Sequence, residues 1–265
     1  MRKSILALSV AAALAAPGLA GADQPTASPV TANVTLASQY IYRGIAQSRG
    51  KPAIQGGFDY TNPNGIYLGT WASSISWISD AATNSAISAP IEIDVYGGYR
   101  GSITKDLGYD VGILTYNYPG TNIAGGAANP DTVELHGALS YRWLTAKYSV
   151  TTGTSLFGWT PDGTTKTTGS GYFQLDGAWD MGNGLGLSAH VGHQSVNHLS
   201  AASYTDYNVG VTKAFAAGTL GLLYSTTNAN SCGDATPLYC NTLSGTGNSY
   251  DLGKGTVVLS FSKTF

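Results

Sequence analysis

The sequence predicts an all-β fold: one transmembrane antiparallel β-barrel of about twelve strands, connected as an up-and-down meander. Three observations support this prediction. Only 11% of the 265 residues are charged and 43% are hydrophobic, yet no long apolar run follows the N-terminal region. Segments of about ten residues alternate apolar with polar or small positions. The connections between these segments are alternately short and long, as in bacterial outer-membrane barrels.

The composition narrows the class of protein. A soluble domain usually carries about 25% charged residues, and this chain carries fewer than half of that. Since only helices and closed barrels satisfy the backbone inside a bilayer, a membrane protein without helix-length apolar segments is expected to be a barrel. The net charge of −2 is mildly acidic, and no basic patch indicates a nucleic-acid partner.

The N-terminal residues have the features of a secretory signal peptide. Two basic residues precede an apolar run from Ile5 to Ala16, and small residues lead up to Ala22. The run is shorter than the roughly 20 residues of a spanning helix, which disfavours an uncleaved anchor. The sequence therefore predicts a signal peptide over 1-22, a barrel domain over 23-265, and export to the bacterial outer membrane.

The alternation is clearest between residues 91 and 100. Ile91, Ile93 and Val95 share one face of the predicted strand, whereas Glu92 and Asp94 share the other. One face suits lipid and the other suits water. The segments predicted as strands are 33-43, 53-60, 66-75, 91-100, 107-118, 132-143, 145-152, 172-180, 185-193, 204-215, 219-226 and 256-265.

Short connections follow the even-numbered segments and long ones follow the odd-numbered segments, which places both termini on the periplasmic side. Aromatic residues are expected at that interface, where amphipathic rings favour the headgroup level. They are Tyr60, Tyr99, Tyr109, Tyr141, Trp143, Tyr148, Trp179, Phe215 and Phe265. The alternating last strand ending at Phe265 predicts recognition by the barrel-insertion machinery, with outer-membrane lipid and lipopolysaccharide as the surroundings.

Several motifs in order resemble the TorF family of porins. They are Ser38–Ser48, Pro52–Tyr60, Gly65–Ser73, Glu92–Tyr99, Tyr109–Gly112 and Tyr116–Gly120. These motifs cover about the first half of the chain after residue 22, and the second half matches in strand rhythm only. The resemblance implies an outer-membrane barrel that passes small solutes. It implies no catalytic residues and no cofactor.

If the apolar face meets lipid, the charged positions line the lumen, because a charge facing hydrocarbon costs about 2 to 4 kcal/mol at the midplane. These positions are Arg43, Asp59, Glu92, Asp94, Arg100, Asp110, Glu134, His136, Arg142, Lys147, Asp176, Asp180 and His190. The excess of acids predicts a passive pore for small polar solutes or ions with a mild preference for cations. Ion pairs could instead close so narrow a lumen, leaving a structural or binding barrel.

An enzymatic alternative starts from His193 and Ser195, a His-x-Ser pair that resembles outer-membrane phospholipases. The candidate amide partner, Asn208, is predicted to face inward, so the triad does not assemble and a non-enzymatic protein is favoured. The scattered histidines indicate no metal site, and no motif indicates a cofactor.

Cys232 and Cys240 predict a loop disulfide in an exported chain, with a zinc site or a free thiol pair as alternatives. They lie in a long connection, Thr227 to Gly255, which could bind a partner or fold over the mouth of the barrel.

Overall fold

The computed structural model describes residues 28-81, 89-121, 129-242 and 249-265. Twelve antiparallel strands form a closed barrel in which each strand pairs with its neighbours in sequence. Residues Asn33 to Ala37 of the first strand pair with Thr264 to Ser260 of the last. The strands are β1 Val30–Ala37, β2 Ala53–Thr61, β3 Ile66–Ser74, β4 Ile91–Ser102, β5 Leu107–Asn117, β6 Thr132–Tyr141, β7 Leu144–Thr151, β8 Gly171–Gly182, β9 Leu185–Ser195, β10 Tyr204–Phe215, β11 Gly218–Thr227 and β12 Thr256–Thr264. The predicted fold class is confirmed.

The alternation predicted for β4 is present. Glu92 and Asp94 are buried inside the barrel, whereas Ile91, Val95 and Tyr99 are exposed on its outer surface. The same pattern continues around the barrel and produces an apolar outer belt. Residues of this belt include Leu36, Phe58, Leu68, Val111, Ile113, Leu135, Leu139, Leu187, Val209, Leu222 and Leu259.

The first predicted strand, 33-43, is wrong at its C-terminal end. β1 ends at Ala37, and the chain then forms a small hairpin in which Ile41–Tyr42 pairs with Ile45–Ala46. We call Ile41–Ala46 the lumen hairpin. It is buried inside the barrel, where its side chains contact several strands.

The two ends of the barrel differ. At one end, turns of two to four residues join the strands, as at 142-143 and 183-184; we call this the short-turn end. Aromatic residues gather there as predicted, including the pairs Trp143–Trp179 and Tyr99–Tyr109. Tyr148 is an exception, because it lies more than halfway along β7 toward the opposite end and pairs with Phe173.

The opposite, long-loop end carries the remaining elements. They are the helix α1 (Trp77–Ala81), a 3-10 turn at Ser200–Ala202, and a hairpin of Cys240–Thr242 with Ser249–Asp251. Cys232 and Cys240 form a disulfide with an S–S distance of 2.09 Å. Within the described ranges, no helix has the length and apolarity needed to cross a bilayer.

Candidate functional site

The lumen hairpin turns through Arg43 and Gly44, which have φ angles of 45° and 76°. Two successive positive φ angles define the type I′ turn that a two-residue hairpin needs to match strand twist. A Cβ on Gly44 would contact Thr227 and would lie 2.7 Å from Cβ of Asp206. Glycine therefore allows both the turn and its close approach to the barrel wall.

Arg43 is the centre of the site. Its Nη1 and Nη2 donate to Oε1 and Oε2 of Glu134 at 3.0 and 2.7 Å, and Nη1 also donates to Oε1 of Gln194 at 2.8 Å. The guanidinium lies over the rings of Tyr172 at 4.1 Å and Tyr42 at 4.9 Å. These contacts join the hairpin to three strands, β6, β8 and β9, across the lumen.

This ion pair is almost completely dry. The Arg43 and Glu134 side chains are 8% and 3% exposed. Burial lowers the pKa of Arg43, but the Glu134 carboxylate together with Tyr42 and Tyr116 raises it by more, and the net pKa lies above its ordinary value. Arg43 therefore stays charged, and a bidentate charged hydrogen bond in a dry site is strong and specific in direction.

Tyrosines add further contacts between the hairpin region and the wall. The Tyr40 hydroxyl donates to Oε1 of Glu92 at 2.7 Å, and the hydroxyls of Tyr42 and Tyr116 lie 2.7 Å apart. Burial raises the pKa of Tyr40 and of Tyr42 well above the ordinary value. Both hydroxyls thus remain protonated and able to donate.

A second polar cluster lies next to the first. His190 Nδ1 is 2.6 Å from Oδ1 of Asp176, and its Nε2 is 3.0 Å from Oδ1 of Asp206. The Tyr172 hydroxyl donates to Oδ2 of Asp206 at 2.8 Å. Because the Tyr172 ring also lies under Arg43, this residue connects the two clusters.

A third cluster lies on β3, β5 and β6. The Tyr67 hydroxyl donates to Oδ1 of Asp110 at 2.7 Å, and His136 Nε2 lies 3.0 Å from the same oxygen. The carboxyl groups of Asp110 and Asp176 are 24% and 37% exposed. Parts of the lumen wall are therefore open to solvent, while the region around Arg43 is closed.

Most predicted lumen residues do lie inside the barrel: Arg43, Asp59, Glu92, Asp94, Arg100, Asp110, Glu134, His136, Lys147, Asp176 and His190. Several of them form the clusters described above. Arg100 lies over the Tyr67 ring at 4.6 Å, and Asp94 and Lys147 are buried. Sequence alternation identifies them because inward positions recur at every second residue.

Arg142 requires a correction. It lies in the turn between β6 and β7 with a φ of 54°. Its side chain is 60% exposed, 3.7 Å from Oδ2 of Asp106 in another short turn. The predicted strand 132-143 ends at Tyr141, so Arg142 belongs to the short-turn rim and not to the lumen wall.

Asp206 was not predicted, although it is completely buried at the heart of the second cluster. It shares the inward face of β10 with Asn208, and the alternation there could have revealed it. The sequence also does not predict the tyrosines that donate to the acids, including Tyr172. A tyrosine suits either face of a strand, so the alternation of apolar and polar residues does not assign its side chain to the lumen.

The phospholipase constellation does not assemble. His193 and Ser195 are exposed, and His193 Nδ1 is 2.9 Å from the hydroxyl of Thr205. Asn208 pairs in register with His190 instead. No amide orients His193 among the contacts of the described residues.

The sequence from residue 20 to residue 265 matches the family model described as "Bacterial protein of unknown function (Gcw_chp)". No curated protein sequence matches the chain.

Three solved outer-membrane channels are similar to this chain, each with a sequence identity of 15% or less. The KdgM porin has a TM-score of 0.49 and 6% identity, covering 89% of this chain and 98% of its own. The NanC porin has 0.47 and 10%, covering 89% and 98%. An outer membrane channel from Pseudomonas putida F1 has 0.45 and 15%, covering 89% and 94%. All three TM-scores are below 0.5.

Proposed function

The chain belongs to the Gcw_chp family of bacterial proteins, and we propose that it is an outer-membrane channel for passive diffusion of small polar solutes or ions. The lumen hairpin constricts this channel, and the acidic wall gives it a mild preference for cations. The resemblance of the sequence motifs to TorF porins supports the same function.

The outer surface supports the membrane location. Large apolar side chains such as Val95, Leu139 and Val209 are more than half exposed, which in water would be a large unfavourable apolar surface. A lipid environment removes that cost. We further propose that residues 1-22 direct export and that β12, with Phe265, is read by the barrel-insertion machinery.

The lumen wall carries the functional part of the proposal. It consists of charged and hydroxyl groups, some of them solvent-exposed like Asp176. The hairpin is attached to that wall by hydrogen bonds and an ion pair at Arg43. The hairpin also packs the apolar side chains of Ile41, Ile45 and Ala46 into the buried core. The partial solvent exposure of Asp110 and Asp176 inside the barrel is the observation that favours a constricted channel over a filled lumen.

Selectivity would arise from the acids on the wall. Inside the barrel lie the acids Asp59, Glu92, Asp94, Asp110, Glu134, Asp176 and Asp206, against the bases Arg43, Arg100 and Lys147. An excess of negative charge in a narrow, partly dry pore raises the local concentration of cations.

Planar-bilayer recording tests the proposal. Purified, folded protein should give discrete channel events, and in unequal KCl concentrations the reversal potential should have the sign of cation selectivity. An absence of channel events from folded protein would contradict the channel, and anion selectivity would contradict the role of the acids.

The second candidate is a barrel with a closed lumen and a structural or binding role. The dry contact of Arg43 with Glu134 and Gln194 favours it, because this contact crosses the lumen. The two candidates differ in one measurement. A closed barrel would not conduct either in the parent or after removal of the Arg43 side chain.

A further inference from the structure

A cavity of about 280 Å³ lies at the long-loop end, above the lumen hairpin. Aromatic side chains form much of its wall, and the loop segment 156-159 and the disulfide-linked loop complete it. Its lining includes Tyr42, Trp77, Phe157, Trp159, Tyr239 and Asn241. Its volume lies just below the usual range of about 300 to 1,000 Å³ for small-molecule sites.

The lining carries no charged side chain among the residues that the structure describes. Leu156, Leu238 and Leu252 add aliphatic surface to the aromatic rings. A charged ligand would lose its hydration there without gaining an opposite charge, which is costly. The cavity therefore suits an uncharged molecule with a large apolar surface.

Most polar groups in the wall are already used within the protein. The Gln47 side chain donates to the carbonyl of Ile45 at 3.0 Å, and the Tyr239 hydroxyl donates to the carbonyl of Ala202 at 2.6 Å. Gln194 accepts from Arg43 and donates to Gly171. A sugar, with hydroxyl groups on every side, would find too few partners here.

Two donors remain. Trp77 Nε1 and Asn241 Nδ2 are buried and have no hydrogen-bond partner, and Asn241 as a whole is 7% exposed. Buried donors are nearly always paired in proteins, so two unpaired ones on residues that line a single cavity point to an absent acceptor. Both groups only donate, and a ligand carbonyl or ether oxygen only accepts.

From these observations we infer that the cavity binds an uncharged, ring-containing molecule with at least one acceptor oxygen, which receives hydrogen bonds from Trp77 and Asn241. The rings of Phe157 and Trp159 contact the apolar part. Binding in this cavity is measured without any current through the lumen, so the failure of one proposal does not decide the other.

Isothermal titration calorimetry of the full barrel in lipid nanodiscs tests this inference, with empty nanodiscs subtracted to remove partitioning into lipid. Acetophenone is the probe, because it combines an aromatic ring with a carbonyl and has no charge. Cumene has a similar shape without the oxygen, and benzoate adds a charge. We expect saturable binding of acetophenone, with cumene and benzoate each binding at least about 5-fold more weakly.

Two variants test the donors. Trp77→Phe and Asn241→Leu should each weaken acetophenone binding about 5- to 10-fold, the loss expected for one hydrogen bond. Trp143→Phe is the matched control, since Trp143 packs against Trp179 at the short-turn end, and it should bind like the parent. The heat-dependent gel mobility of each variant checks that the barrel is folded.

Three results would overturn the inference: no saturable heat above empty nanodiscs, equal affinity for acetophenone and cumene, or equal weakening by Trp143→Phe. If Trp77→Phe does not fold, Asn241→Leu and the comparison with cumene decide the question.

Discussion

Arg43 and Glu134 are 91 residues apart in the chain and form a bidentate ion pair in the lumen, with donor–acceptor distances of 3.0 and 2.7 Å. One partner lies on a turn of the lumen hairpin and the other on a barrel strand. Removing either partner leaves the other charge buried and unpaired, which typically costs about 3 to 5 kcal/mol.

We therefore expect Arg43→Ala to release the hairpin and raise single-channel conductance severalfold over the parent. The reason is that the buried Glu134 carboxylate regains favourable hydration only if the hairpin withdraws. Arg142→Ala is the control, because it removes the same charge from an exposed turn. Conductance that is equal in all three proteins would contradict the role of the ion pair.

Gly44→Ala tests how closely the lumen hairpin must approach the barrel wall, and it changes no charge. The added methyl group would overlap Thr227 and Asp206 in a turn with positive φ, an overpacking that costs about 1 to 3 kcal/mol. We expect larger or more frequent openings in bilayer recordings. Gly137→Ala, whose Cβ meets no atom within 4 Å, should behave like the parent, and a similar change in both variants would argue against the shape effect.

Glu92→Gln tests the origin of cation preference. The amide can still accept from the Tyr40 hydroxyl, which now donates to Glu92 at 2.7 Å, but it removes one negative charge from the wall. The reversal potential in a KCl gradient should move toward zero. Asp106→Asn removes the same charge from an exposed turn, and a shift as large as that of Glu92→Gln would place the selectivity elsewhere.

The apolar outer belt predicts that the cost of a charged substitution depends on how deep the residue lies in the membrane. Val111 lies near the middle of β5 and is 50% exposed, so Val111→Lys should lower the free energy of unfolding by about 2 to 4 kcal/mol in lipid vesicles. Ile103→Lys, in an exposed short turn, should cost far less. Equal effects in urea titrations would mean that Val111 does not face hydrocarbon.

Reduction of the Cys232–Cys240 disulfide should act locally. The bond closes a short loop at the long-loop end, and such a crosslink contributes about 2 to 3 kcal/mol by restricting the unfolded loop. We expect dithiothreitol to make this loop sensitive to protease while the barrel keeps its folded gel mobility. Loss of the folded barrel on reduction would show that the loop supports the whole molecule.

The sequence predicts the barrel wall well, because an apolar outer face and a polar lumen impose a two-residue period on every strand. Glu92, Asp94 and Glu134 are assigned to the lumen for this reason alone. The lumen hairpin escapes prediction because Tyr40 and Tyr42 continue the alternation of β1.

The turn at Arg43 and Gly44 also lacks the Asn-Gly or Asp-Gly pair that usually marks a type I′ turn. Arginine adopts positive φ here because Glu134 and Tyr172 hold its side chain. Contacts between residues so far apart in sequence have no local signal.

The pairing of β1 with β12 has a consequence for how the chain is made. Asn33 and Thr264 meet only in the finished ring, so this last row of hydrogen bonds cannot form until nearly the whole chain has been delivered. Until then, two strand edges are open and able to pair with other chains. The unfinished chain is therefore exposed to pairing with its own copies during this interval, and slow closure of the ring would increase its loss to aggregation.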